Sequence, residues 1–216
     1  MKLYDYFRSS AAFRVRIALN IKGLQVDPQS VHLRRKDHRS DAYLAINPQG
    51  LVPALVDDDG TVVTQSLAII EYLDETRPDT PRLMPDDARG RARVRALSDA
   101  IACDIHPLNN LRVLRHIGQA FDIDEATRNE AWYKHWIAEG MEGLEGMLAG
   151  SADTGEFCHG DTPTMADCCL IPQVYNAVRF GCDMSGYPTA MRINATCLEL
   201  APFQNALPEV QPDAEA

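Results

Sequence analysis

The stretch YFRSSAAFRVRIAL, residues 6–19, decides how the rest of the chain is interpreted. It follows a short apolar segment and becomes a helix whose apolar positions Phe13, Ile17 and Ile21 recur every four residues. Lys22-Gly23 ends this helix with a cation in the last turn and a glycine suited to a left-handed backbone. The pattern predicts a β-strand that leads into a helix beginning at the two serines.

Ser9 and Ser10 are predicted to lie at the N-terminus of that helix. Free backbone N–H groups and the helix dipole attract negative charge there. Hydroxyl donors in this position can hold a carboxylate, a phosphate or a thiolate. Serines are also common helix caps without any ligand. On these residues alone, an anion site and a plain cap both stay open.

The composition favours a chain with its own apolar core: 216 residues, 45% of them hydrophobic, with a net charge of −10. Residues 1–80 carry ten Lys and Arg against eleven Asp and Glu, a net of −1, which leaves −9 for the remainder. This balance argues against nucleic acid or an anionic membrane as a partner.

Without an apolar run long enough to span a bilayer, or a basic and apolar leader after Met1, we expect a soluble, unprocessed cytoplasmic protein.

The cysteines give no sign of a metal or disulfide framework. All six lie beyond residue 100 without C-x-x-C spacing, and we expect reduced thiols. Cys158-His159 and Cys168-Cys169 fit no usual zinc pattern, so no metal site is expected.

The first 80 residues alternate strand and helix signals and predict a compact α/β domain, residues 1–80. Pro53 must lie at the first residue or the edge of its strand, because it cannot donate to a sheet ladder. A cis Val52–Pro53 bond suits this position. Asp59-Gly60 predicts a hairpin turn, and Gln65-Ser66 opens a second helix, giving a second hydroxyl at a helix N-terminus. Two such termini in one small domain make an anion site more credible than either alone.

Prolines between residues 78 and 85 predict a linker, after which residues 88–216 read as a helical domain. Over 88–118 we expect either one long helix or two joined at Pro107, where the axis should bend, and over 124–149 another helix. The apolar bulk of the helix over 124–149 comes from three residues: Trp132, Trp136 and Leu144.

The last third of the chain predicts two more helices and a tail. Thr164 and Asp167 have capping-box spacing and start a helix that reaches about Phe180. A further helix is expected over 188–200, followed by a loose acidic tail over 208–216.

The apolar pattern leaves the roles of two groups of polar residues open. His106, Asn109 and Asn110 share a face beside Pro107, as core residues with satisfied hydrogen bonds or as part of a site. A few of the arginines in this acidic chain could hold a small anionic substrate locally. They are Arg8, Arg14 and Arg16, then Arg112 and Arg115, and finally Arg179.

These residues resemble the zeta class of glutathione transferases over nearly the whole chain. Residues 9–19 are similar to the class signature S-S-C-x-W-R-V-R-I-A-L. Residues 47–53 and 65–73 resemble the family's glutathione-binding loops, and residues 160–167 its capping motif. The resemblance implies glutathione transferase architecture, a thioredoxin-like α/β domain that binds glutathione and then an all-α domain with the substrate pocket. It also implies a homodimer.

The resemblance further implies a glutathione-dependent cis–trans isomerase that converts maleylacetoacetate to fumarylacetoacetate in tyrosine and phenylalanine catabolism. The alternatives are a maleylpyruvate isomerase of gentisate-type degradation and a transferase or dehalogenase acting on α-halo acids. A third alternative is a binding or regulatory protein that keeps the fold but catalyses no reaction. For the isomerases the partners would be glutathione and a small dianionic maleyl substrate.

The family's roles transfer to matching positions. Ser9 would donate a hydrogen bond to the glutathione thiolate, with Ser10 beside it. Seven residues would bind glutathione or line its pocket: Gln49, Val52, Pro53, Gln65, Ser66, His106 and Asn110. Three arginines would bind the substrate carboxylates and developing charge: Arg8, Arg112 and Arg179. Arg14 and Arg16 are expected to form structural ion pairs or surface charges.

The chain departs from the signature at two positions. Ala11 replaces the usual cysteine and Phe13 the tryptophan. In the implied mechanism the nucleophile is the thiol of glutathione, so a missing protein thiol does not by itself exclude activity.

Overall fold

The computed structural model describes residues 1–215, which form two compact units. The first contains Met1–Pro85 together with the C-terminal residues from Leu198 onward, and the second is Asp86–Cys197. The division after Pro85 lies inside the expected linker. The residues from Leu198 onward group with the first unit, whereas the sequence placed them in the domain 88–216.

The first unit contains a four-stranded mixed sheet in the order β2-β1-β3-β4. β1 is parallel to β2 and antiparallel to β3, which is antiparallel to β4. The strands are β1 (Lys2–Asp5), β2 (Asp27–Ser30), β3 (Ala54–Val56) and β4 (Val62–Thr64). This sheet and its helices match the expected thioredoxin-like domain. β2 ends at Ser30, and the chain turns over residues 33–36 before the next element.

The helices of the first unit are α1 (Ser10–Lys22), α2 (Asp41–Leu44), α3 (Ser66–Thr76) and α10 (Ala201–Gln204). α1 is the central element, since it packs against both α3 and α10. Gly23 ends it with φ +67° and donates its N–H to the Asn20 carbonyl, as the pattern predicted. Most of the helix is buried, so its charged residues need partners inside the unit.

Lys22 shows how such a charge is accommodated. Its Nζ lies 2.9 Å from Asp74 Oδ1 and also donates to the Pro81 carbonyl. Asp74 in turn accepts the backbone N–H groups of Leu83 and Met84. The ion pair is almost fully buried and connects α1 and α3 with the segment that leaves the unit.

The regular elements of the second unit are helices, and residues 150–164 form a loop between two of them. Its helices are α4 (Ala88–Asp99), α5 (Leu111–Phe121), α6 (Glu125–Arg128), α7 (Lys134–Ala149), α8 (Met165–Arg179) and α9 (Pro188–Leu198). Two π-helical segments, Ala100–Ile105 and Asn129–Tyr133, follow α4 and α6. The backbone N–H of His106 donates to the Ile101 carbonyl, five residues earlier, as in a π-helix.

Both helical stretches expected from the sequence are divided. At Pro107 the alternative of two helices holds, because residues 106–110 form a turn between the first π segment and α5. The helix over 124–149 is divided by the second π segment. Trp132 and Trp136 are only half-buried and pack edge-to-face. Leu144 is buried as expected, together with four residues that were not named: Tyr133, Ile137, Met141 and Leu148.

The capping box at the start of α8 is confirmed. Asp167 Oδ2 accepts the Thr164 N–H and hydroxyl, and Oδ1 accepts the Cys158 N–H at 2.8 Å. Asp167 is fully buried, and burial raises the pKa of its carboxyl. Its three donors make it the structural anchor of the loop before α8.

The expectation of a loose tail is wrong for the described part. Pro208–Val210 form a 3₁₀ turn, Asp213 accepts the Phe7 N–H, and Glu215 pairs with His32. The tail is held because its carboxylates find donors in the first unit. Ala216, its last residue, lies outside the described residues.

Within residues 1–215, no helix combines the length and apolar character needed to cross a membrane.

Candidate active site

Ser9 and Ser10 occupy the N-terminus of α1. Ser9 is the N-cap, with φ −76° and ψ 116°, and its Oγ accepts the Ala12 N–H at 3.2 Å. Ser10 is the first residue of the helix and is buried. A hydroxyl that accepts through its oxygen keeps its proton for donation. Ser9 can therefore cap the helix and donate to an anion at its positive end.

Arg8 places a cation directly before this N-terminus. Its guanidinium carbon lies 4.9 Å from the centre of the Phe7 ring, a cation–π contact that leaves the N–H groups able to bind carboxylates. The structure thus brings Arg8, Ser9 and Ser10 into one turn of the first unit.

The loop before β3 is held by Asn47, which is buried. Its Nδ2 donates to the Leu51 carbonyl and its Oδ1 accepts the Gln49 N–H. The Val52–Pro53 bond is cis, as expected, and Pro53 directly precedes β3. This loop places the Val52 backbone just outside the hydrogen-bonded ladder.

Gly50 is required in the same loop. Its φ is +59°, and a Cβ at this position would lie 2.8 Å from the His38 carbonyl oxygen. Only glycine accommodates both the left-handed backbone and this close approach.

Gln65 has an unusual backbone at the start of α3. Its φ of 72° and ψ of 121° are rarely adopted by a residue with a side chain, and such strain is concentrated at ligand-binding positions. Its Nε2 donates to Gln49 Oε1 at 2.8 Å. Gln49 and Gln65, both predicted to bind glutathione, are therefore in direct contact.

Arg14 contacts a residue predicted to bind glutathione. It is buried, and its Nη1 donates to the hydroxyl of Ser66, the first residue of α3, at 3.2 Å. Arg14 is therefore not a surface charge, and this contact places its guanidinium at a second helix N-terminus. The available signal was a charged residue within the apolar face of α1.

Arg16, by contrast, is the expected structural ion pair. Its Nη1 lies 2.9 Å from both Asp5 carboxylate oxygens, and the pair is buried. Arg16 also donates to the carbonyls of Phe7 and Ala206.

In the second unit, three of the proposed site residues follow the first π segment. His106 is half-buried, and Asn110 caps α5, its Oδ1 accepting the Arg112 N–H at 3.1 Å. Arg112 is exposed in the first turn of α5. The structure assigns Asn110 a capping role that the sequence analysis did not predict.

Arg179 is the last residue of α8. Its guanidinium carbon lies 5.3 Å from the centre of the Phe180 ring, which stacks on Tyr133 at 3.9 Å. The Tyr133 carbonyl accepts from Asn109 Nδ2. These contacts connect Arg179 with the turn 106–110 inside the second unit.

The protein's own thiols are poor candidates for a nucleophile. None lies in residues 6–19, and all six are free. Burial raises the pKa of the Cys158, Cys168 and Cys197 thiols, so they stay protonated at neutral pH. Any sulfur chemistry at the α1 N-terminus needs a thiol from a bound molecule.

Comparison with known proteins identifies the relatives of this chain. Residues 8–76 match the family described as "Glutathione S-transferase, N-terminal domain". The maleylacetoacetate isomerase of Rhizobium meliloti is 52% identical over 207 residues, which cover 96% of this chain and 95% of that protein.

Solved structures resemble the complete chain. A maleyl pyruvate isomerase, described as a bacterial glutathione-S-transferase of the zeta class in its holo form, is 48% identical with a TM-score of 0.95. A Methylobacterium extorquens maleylacetoacetate isomerase with bound malonate and glutathione is 42% identical with a TM-score of 0.96. Both likenesses cover 100% of each chain.

Proposed function

The chain belongs to the zeta class of glutathione transferases, and from this premise we propose that it is a glutathione-dependent cis–trans isomerase converting maleylacetoacetate to fumarylacetoacetate. The observation that carries the proposal is the pair of helix N-termini in the first unit. One presents Ser9 and Ser10, and the other presents Ser66 with the Arg14 cation behind it. The substrate belongs to tyrosine and phenylalanine catabolism.

The residues of the first unit suit glutathione. The α3 N-terminus, with Gln65, Ser66 and the buried charge of Arg14, supplies donors and positive charge for the γ-glutamyl carboxylate. The Val52 backbone beside Pro53 suits the cysteinyl part in the manner of an added strand, and Gln49 the glycyl end. When bound, glutathione supplies a thiolate that adds reversibly to the substrate alkene, so that its geometry can change.

Ser9 has the role of keeping that sulfur ionised. A free thiol has a pKa of about 8.5, so most of it is protonated at neutral pH. A hydroxyl donor at the positive end of α1 favours the thiolate, and each unit by which the pKa falls corresponds to about 1.4 kcal/mol. Ser10 is the neighbouring donor.

The arginines recognise the substrate. Maleyl substrates carry two carboxylates, and guanidinium groups bind carboxylates with paired hydrogen bonds. We assign Arg8, Arg112 and Arg179 to these carboxylates and to the negative charge that develops on the substrate. His106 and Asn110 are assigned to the lining of the pocket.

Maleylpyruvate is the second candidate substrate. The observation that favours it is the 48% identical zeta-class structure of a maleyl pyruvate isomerase. Both acids are dianions, so the same arginines suit either one.

A spectroscopic isomerase assay on both acids, with and without glutathione, tests the proposal. We expect turnover only with glutathione, a higher kcat/KM for maleylacetoacetate, and inhibition by S-methylglutathione, which lacks a free thiol. Full turnover in a glutathione-free preparation would contradict the mechanism. A higher kcat/KM for maleylpyruvate would reverse the substrate assignment.

We also propose a cytoplasmic homodimer whose residues 1–80 bind glutathione and whose residues 88–216 hold the substrate. Six free cysteines suit a reducing compartment. Sedimentation equilibrium of the purified protein tests the oligomeric state, with a dimer mass expected.

A further inference from the structure

One peptide unit connects the N-cap of α1 with the C-terminal tail. The Ser9 N–H donates to the Tyr6 carbonyl at 2.8 Å. The Phe7 N–H donates to Asp213 Oδ2 at 3.1 Å. The Tyr6 carbonyl and the Phe7 N–H belong to the same planar peptide, so fixing the direction of one fixes the other.

The following peptide is held as well. Arg16 Nη2 donates to the Phe7 carbonyl at 3.0 Å, while its Nε donates to the Ala206 carbonyl at 3.0 Å. Arg16 itself is fixed by its buried ion pair with Asp5. Both polar backbone groups of Phe7, immediately before Arg8 and Ser9, therefore bind side chains: the N–H binds Asp213 and the carbonyl binds Arg16.

The tail is anchored at two further points. Asp213 Oδ2 also accepts the Ser30 hydroxyl at 3.0 Å. Glu215 contacts His32 Nε2 at 3.1 Å and the Arg35 guanidinium. The position of the Asp213 carboxylate therefore does not depend on its hydrogen bond with the Phe7 N–H alone, because these contacts also hold the tail in place.

We propose that Asp213 is a positioning residue for Ser9. A charged acceptor on the Phe7 N–H polarises the peptide and strengthens the Tyr6 carbonyl as the acceptor for Ser9. The tail thereby sets the position of the hydroxyl assigned to the glutathione thiolate. This inference deepens the proposed function and rests on it for the consequence in catalysis, while the positional link itself concerns this chain alone.

The test uses the full chain with Asp213→Ala, Asp213→Asn, and Glu199→Gln as the control. Glu199 is an exposed carboxylate in the C-terminal part of the first unit, so its substitution removes the same charge without touching Phe7. Three quantities are measured: kcat with glutathione saturating, the apparent pKa of the bound glutathione thiol from the pH profile, and amide hydrogen exchange at Ser9.

We expect Asp213→Ala to lower kcat about tenfold, since small displacements of a reacting group are costly. The thiol pKa should rise by about 1, and exchange at Ser9 should accelerate. Asp213→Asn keeps an acceptor oxygen and should show each effect more weakly, whereas Glu199→Gln should match the wild type.

The inference is overturned if Asp213→Ala equals the control in kcat, thiol pKa and Ser9 exchange. Should the wild type lack isomerase activity, the proposed function fails, while Ser9 exchange still decides the positional link. If the alanine variant does not fold, Asp213→Asn decides it: faster exchange at Ser9 supports the link, and unchanged exchange overturns it.

Discussion

Ser9 combines two tasks in one side chain. Its oxygen caps α1 through the Ala12 N–H, and its proton is assigned to the thiolate of glutathione. The two tasks use different parts of the hydroxyl, so they do not compete. The question left open by the sequence, cap or anion site, therefore has no single answer at this residue.

Ser9→Ala should lower kcat by at least about tenfold with glutathione saturating, since removal of a single donor to developing charge costs about a hundredfold to a thousandfold. It should also lower stability by about 1 kcal/mol through loss of the cap. Ser40→Ala is the matched control, because Ser40 caps α2 through the Tyr43 N–H. This variant should lose similar stability while kcat and the thiol pKa stay unchanged. Turnover of Ser9→Ala within about twofold of the wild type would remove Ser9 from the thiolate role.

For single residues, the sequence predicted roles that depend on neighbouring residues, and it missed contacts between residues that are far apart in the chain. Ser9 and Gly23 were found because a cap is defined by a few neighbouring residues. The contact between Arg14 and Ser66 was not predicted, because the two residues lie 52 positions apart in the sequence. The strained backbone of Gln65 has no signal in residue type, since strain of this kind depends on the surrounding contacts.

Among the elements, α7 depends on a glycine for its packing on the first π segment. A Cβ on Gly140 would lie 2.2 Å from Cγ1 of the buried Ile105. Gly143, in the same helix, has open space around the corresponding position. Alanine at Gly143 thus changes only the helix propensity, whereas alanine at Gly140 changes both the helix propensity and the packing against Ile105.

Gly140→Ala should destabilise the protein by about 1–2 kcal/mol, because the overpacking cost exceeds the gain in helix propensity. Gly143→Ala should stabilise it by about 0.5–1 kcal/mol. Chemical unfolding of both variants measures the difference. Equal effects of the two substitutions would show that the contact with Ile105 adjusts at no cost.

The elements themselves were predicted well where pattern and caps agree, as in α1, α3 and α8. The two π segments were missed because the apolar spacing of residues 94–105 continues through the change in hydrogen bonding. A π segment inserts one residue into a helical turn, and the resulting shift is too small to read from apolar positions alone.

For the whole molecule, carboxylates decide the response to acid. Burial by itself raises the pKa of Asp57, but hydrogen bonds from Tyr72, the Asp58 N–H and Arg77 outweigh it, and the net pKa is lowered. A carboxyl with a lowered folded-state pKa contributes stability above its unfolded pKa of about 3.9. That contribution is lost as the pH falls through the folded value.

The free energy of unfolding should therefore decrease as the pH falls below about 4. Asp57→Asn should be less stable at pH 7 and should show a shallower decline in acid. Asp79→Asn, at an exposed position of the first unit after α3, serves as the control. Urea unfolding between pH 3 and pH 7 checks this, and parallel curves for wild type and Asp57→Asn would contradict it.

The sequence predicted two units from the change in character around residues 78–87, and the division lies there. It did not predict that the residues from Leu198 onward belong to the first unit. Composition marks residues 208–215 as acidic and solvated, and the donors that hold them, such as the Phe7 N–H and Ser30, are about 200 positions upstream.

The first unit is built from two separate parts of the chain, and this has a consequence for biosynthesis. The Arg16 and Asn20 side chains of α1 reach the Ala206 and Pro202 carbonyls, which leave the ribosome only after the whole helical unit has been made. The amino-terminal part of the nascent chain must wait, incompletely packed, until residues 202–206 have left the ribosome. A ribosome stalled shortly before codon 202 should therefore display an amino-terminal portion that proteases cleave readily, and release of the finished chain should abolish that sensitivity.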